Sequence, residues 1–67
     1  MSADDDPLSK ARRHVQEGRR IVWEQKGRIA RIRAAGLDSA DAEQTLRVLE
    51  ANLKLFEEHL DYLERQL

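Results

Sequence analysis

Residues 34–43, AAGLDSADAE, break a chain that otherwise keeps helical spacing from end to end. This break constrains the fold more than any other feature. Gly36 suits the left-handed position that closes a helix, and Leu37 falls where a Schellman motif wants an apolar contact, with Ile32 as partner. Asp38 then suits the N-cap of a new helix. Asp41 lies three residues on, close to a capping box, and Leu37 is placed to staple against Ala42. At the other end, Asp6 suits an N-cap and Pro7 a first helical position, where its missing N–H costs nothing. The expected elements are a disordered acidic tail over 1–6, a helix over about 7–35, a turn at 36–38 and a helix over about 39–67. A connection this short makes the helices antiparallel neighbours, each roughly 42 Å long at 1.5 Å per residue.

The heptads support the same all-α hairpin. In the second helix Leu46, Leu53, Leu60 and Leu67 take the a positions, and Ala42, Leu49, Phe56 and Leu63 the d positions. In the first, a is Leu8, Val15, Val22 and Ile29, and d is Ala11, Gly18, Gln25 and Ile32. Gly18 is expected level with Phe56, a small residue facing a large one. Gln25 is expected near Asn52, its most natural hydrogen-bond partner in a seam.

Charge decides the pairing. Residues 8–35 carry nine Lys/Arg and two Glu, whereas residues 38–67 carry three Lys/Arg and eight Asp/Glu. The e positions divide cleanly: Arg12, Arg19, Lys26 and Arg33 in the first helix, Glu43, Glu50, Glu57 and Glu64 in the second. Antiparallel coiled coils place e opposite e′, so four rungs are expected: Arg33–Glu43, Lys26–Glu50, Arg19–Glu57 and Arg12–Glu64. Each is worth only ~0–1 kcal/mol, yet together they specify partner and orientation.

The opposite flank differs. Its g line in the second helix is Thr45, Asn52, His59 and Gln66, and beyond it Val48, Leu55 and Tyr62 form a third apolar line at c. His14 and Ile21 of the first helix lie on the same flank. One hairpin cannot bury both the a/d seam and this line. The expected use of Ile21, Val48, Leu55 and Tyr62 is a dimer or partner interface, most simply a homodimeric four-helix bundle. The bland alternative is scattered surface apolar residues. Trp23, at a b position near Arg19, Arg20 and Lys26, is expected as a partly covered rim residue. Stacking on an arginine or a role in a partner site are the sharper readings.

Little here points to chemistry. The chain has no cysteine, hence no disulfide, thiolate ligand or cysteine nucleophile. His14, His59 and Glu17 share a flank but no metal-binding pattern, so no metal and no cofactor is expected; interfacial histidines that make association pH-sensitive are the milder reading. Gly18, Gly27 and Gly36 are isolated and form no phosphate loop. A coil of this size offers no concave site, which argues against an enzyme. The rival class is a nucleic-acid-associated protein using the basic outer face of helix 1 (Arg13, Arg20, Arg28 and Arg31). The e-line bases are already claimed by glutamates and the pI is about 6.1, which weighs against it. No run of eighteen apolar residues occurs, so no membrane span is expected. MSADDDP is acidic and reads as neither a signal nor a transit peptide, giving the cytoplasm as the expected compartment.

Three stretches carry a resemblance: HVQEGRR at 14–20, RIRAAGLDSADAE at 31–43 and L-x-x-F-E-E-H-L at 53–60. Over about residues 11–65 the chain resembles a group of short bacterial helical-hairpin proteins, mainly alphaproteobacterial and usually described as hypothetical. Trp23 departs from their pattern, where a smaller or basic residue is expected. The resemblance implies the hairpin, and it implies no activity, cofactor or ligand. The expected function is a non-enzymatic protein-interaction or oligomerisation module, of the kind a small regulator or adaptor uses; sequence names no partner.

Overall fold

The computed structural model describes residues 6–67; the expected tail at 1–6 lies outside them except for Asp6. Two helices, α1 (Pro7–Ala34) and α2 (Ala40–Arg65), pack side by side as a hairpin. The Cα extents are 50 × 21 × 12 Å, so the molecule is two helices wide and little more than one helix thick.

α1 opens with Asp6 in an extended conformation and Pro7 in the first turn. The Asp6 side chain makes no capping bond; its carbonyl accepts the Lys10 N–H at 3.0 Å. α1 closes with a complete Schellman motif. The Leu37 N–H donates to the Ile32 carbonyl at 3.1 Å, and the Gly36 N–H to the Arg33 carbonyl at 2.9 Å. Gly36 has φ +73°, the conformation that L side chains resist. Leu37 remains 66% exposed. Nothing lies within 4 Å of a Cβ added at Gly36, so any cost of substitution is in the backbone alone. Gly36→Ala should cost about 1–2 kcal/mol and lower the melting temperature by about 4–16 °C. An unchanged melting curve would show that the turn tolerates another conformation.

The start of α2 differs from expectation. The N-cap is Ser39, not Asp38, and Ser39 makes no side-chain capping bond. Its hydroxyl is occupied elsewhere: it donates to Glu43 Oε2 at 3.0 Å and accepts from Arg33 Nε at 3.4 Å. Asp38 acts from one residue further out, its Oδ1 accepting the Ala40 N–H at 2.9 Å. The Schellman turn brings Ser39 beneath the Arg33 guanidinium, where it is buried, and this leaves the exposed Asp38 to satisfy the free helix donor. With the cap at Ser39, Asp41 is no longer at the capping-box position.

The seam is asymmetric. Ala11, Val15, Val22 and Ile29 of α1 are buried, whereas no α2 residue is. Small and β-branched side chains on α1 are roofed by the longer leucines of α2, and Leu46, Leu49, Leu53, Leu60 and Leu63 stay half-buried. With no second layer, those leucines have nothing to cover their outer sides.

Two seam details correct the heptad reading. Leu53, not Phe56, fills the space above Gly18: a Cβ placed there would meet Leu53 Cδ1 at 3.0 Å. Phe56 tips outward against the His14 ring, with centroids 5.3 Å apart and planes tilted by 40°. Gln25 does not reach Asn52; its Nε2 donates to the Ala42 carbonyl at 2.8 Å. Both differences come from the axial stagger of the helices, which heptad lettering alone does not define.

Candidate interaction surface

The two flanks of the hairpin have opposite character. On the e flank, Arg19 Nη2 lies 3.0 Å from Glu57 Oε2 and Arg12 Nη2 3.8 Å from Glu64 Oε2. Arg33 Nη2 pairs with Glu43 Oε1, and Ser39 ties the same two side chains together from below. The fourth expected rung is open: Lys26 and Glu50 do not come within ion-pair distance. Beside it, Lys26, Ile29, Ala30, Arg33, Glu43 and Leu46 line a shallow notch between the helices. The rungs are solvent-exposed, so they act chiefly on orientation and register.

Trp23 stands on this same side, 75% exposed, with no cation against its ring. It is therefore neither a partly covered rim residue nor an arginine-stacked one. Arg20, its basic neighbour, is drawn the other way, donating from Nη1 to Glu24 Oε1 at 2.6 Å and from Nη2 to Glu17.

The Arg20 hydrogen bond holds the Glu17 carboxyl below the usual glutamate range, and the Glu17 and Glu24 carboxylates raise the Arg20 guanidinium in turn. The folded-state value of Glu17 is depressed. Its contribution to stability is thus present at neutral pH and disappears as the pH falls through that folded value. Both groups are fully exposed, so the effect on stability is small. Carbon-detected NMR titration should show Glu17 titrating below an ordinary glutamate, and Arg20→Ala should return it there; a normal value in the parent chain would remove the pairing.

These pairs also bear on the basic face of α1. Arg12, Arg19 and Arg33 are directed at glutamates of α2, and Arg20 sits between two glutamates of its own helix. A phosphate backbone would have to compete with each.

On the other flank α2 presents an apolar line. Val48, Leu55 and Tyr62 are 52%, 62% and 59% exposed along one line of α2. Phe56, 39% exposed, adds an aromatic edge between that line and the seam, and half-buried Ile21 lies on the α1 side. Heptad spacing places Phe56 wholly in the seam. The available signal against that is its size: the largest d residue has the least room once a leucine occupies the space above Gly18. His14 packs on Phe56, and His59 is exposed. Among the described residues, no three His, Asp or Glu side chains gather as a metal site, and neither helix is long and apolar enough to cross a membrane.

No family model, curated protein or solved structure matches this chain.

Proposed function

We propose that this hairpin is a self-associating protein-interaction module, a homodimer that closes into a four-helix bundle and acts by binding rather than by catalysis, in the manner of a small regulator or adaptor. One observation carries the reading: Val48, Leu55 and Tyr62 lie more than half exposed in a continuous line, on the flank that the charged ladder leaves empty. Isolated surface leucines need no explanation, but a row aligned at seven-residue spacing with Phe56 beside it is more than scattered exposure. The thinness of the fold supports the same reading. Four buried apolar side chains among the described residues make a small core, and a second layer over the half-buried leucines of α2 is the usual solution at this size.

The ladder supports a division of labour. It favours pairing within the hairpin, which keeps the e flank neutral in its own contacts and leaves the apolar flank for the second copy. The reading has the protein act in the cytoplasm and requires no metal or cofactor.

The test is absolute mass by light scattering across a range of protein concentrations. The expected result is twice the chain mass of 7.8 kDa, giving way to the single mass on dilution. The single mass at every concentration overturns self-association and makes the Val48–Leu55–Tyr62 line a surface for a different protein.

A further inference from the structure

Resting on the self-association proposed above, we infer the geometry of the dimer: α2 docks antiparallel on α2 of the second copy, with the two-fold axis passing beside Leu55. The apolar line is symmetric about its centre. Val48 and Tyr62 each lie seven residues from Leu55, so an axis there sets Leu55 against Leu55 and Val48 against Tyr62 of the second copy. The smallest side chain of the line meets the largest, which keeps the helix separation even along roughly 21 Å of contact.

The residues bordering the line agree with this arrangement. On one side, Asn52 faces His59 of the second copy, and Thr45 faces Gln66. On the other, Ala51 faces Glu58, and Gln44 faces Arg65. No charge directly opposes its like. A parallel arrangement of the same face sets Val48 against Val48 and Tyr62 against Tyr62, the smallest pair at one end and the largest at the other, which splays the helices. Docking the line on α1 of the second copy is worse still: the equivalent line of α1 is Lys10, Glu17, Glu24 and Arg31, whose charges, including the Arg20-paired Glu17 and Glu24, would be stripped of water against apolar side chains. Only α2 carries an apolar line there, so α2 is its own best match.

The position of α1 follows. His14 and Gly18 lie beside Phe56 and Leu53, so residues 14–18 of α1 are level with the axis along the hairpin. Ile21 then sits about one turn from the axis, at the edge of the contact. Trp23, on the far flank, is left outside it.

The chain has no cysteine, so single-cysteine variants report the geometry directly. Each substituted position is exposed and its replacement leaves the buried seam intact, which circular dichroism checks. With diamide as oxidant, two thiols give one disulfide and diamide takes up the two electrons and two protons. Leu55→Cys is expected to form a disulfide-linked dimer. Val48→Cys alone and Tyr62→Cys alone are expected not to, whereas an equimolar mixture of the two links after subunit exchange. Thiols held together in an interface have an effective concentration near millimolar. At about 10 μM protein, linking should therefore outpace that of Ala30→Cys, on the far flank, by on the order of 100-fold. Self-linking of both Val48→Cys and Tyr62→Cys shows the parallel arrangement and overturns the proposal. So does linking of Leu55→Cys no faster than Ala30→Cys while the parent chain has the dimer mass; self-association then stands and only the geometry falls. A monomer mass for the parent chain removes both.

Discussion

Replacing Leu55 and Tyr62 together by glutamate is expected to convert the proposed dimer into a folded monomer. In the single hairpin both side chains are more than half exposed, so glutamates there remain solvated. Glutamate is also at least as good a helix former as tyrosine. Helix content and the cooperativity of unfolding should therefore persist. In the proposed dimer the same change is severe. The carboxylate at position 55 meets its copy across the axis, and the one at 62 replaces the aromatic face over Val48. Burying an unpaired charge costs about 3–5 kcal/mol, enough to weaken dissociation constants by roughly 100- to 4,000-fold or more. Light scattering should show the mass halved, with the far-ultraviolet circular dichroism of a helical protein retained. The emission of Trp23, which stands on the opposite flank, should not shift between the two. A variant that stays dimeric places the interface elsewhere. A variant that unfolds as a monomer assigns both residues to the internal stability of the hairpin.

The second large effect concerns the other flank. Replacing Glu43, Glu50, Glu57 and Glu64 by lysine turns three observed ion pairs into like-charge pairs and strips Ser39 of its Glu43 acceptor. One exposed pair is worth ~0–1 kcal/mol, and repulsion of a similar size replaces it. Three rungs together amount to about 2–5 kcal/mol, a large part of the ~5–15 kcal/mol that holds a small domain folded. The melting temperature should fall by about 10–30 °C, and part of the loss should return at molar salt, where screening shortens the reach of surface charges. Glu50→Lys alone should change little, since its rung is open. Exchanging Arg12, Arg19 and Arg33 for glutamate in the quadruple variant should restore much of the stability, because the ladder is then rebuilt with its signs reversed. A quadruple variant that melts like its parent would show that packing alone sets the orientation of the helices.

Both surfaces are legible in the sequence, for reasons that lie in local spacing. A seven-residue repeat assigns each side chain to a face, whatever the partner. The lines of Arg12, Arg19, Lys26 and Arg33, of Glu43, Glu50, Glu57 and Glu64, and of Val48, Leu55 and Tyr62 follow from that repeat. Gly36 is equally legible, because a chain leaving one helix and entering another within a few residues needs a residue tolerant of positive φ. What the repeat does not encode is the stagger of one helix along the other, or its rotation by a fraction of a turn. Those depend on how particular side chains fill particular gaps. Leu53 takes the space above Gly18, so Phe56 turns outward to His14 and joins the apolar flank. Gln25 finds the Ala42 carbonyl rather than Asn52, Lys26 stops short of Glu50, and Trp23 is left in water. Ser39 sits at the N-cap with its hydroxyl held between Arg33 and Glu43, and Asp38 takes the capping bond. Sequence by itself determined a hairpin with one charged and one apolar flank, since both follow from period and sign. Three rungs of the ladder also followed from spacing and sign, whereas tertiary structure decided the partners of Gly18, Phe56 and Gln25, since a shift of less than one helical turn, set by packing, exchanges seam contacts while long arginine side chains still reach their glutamates.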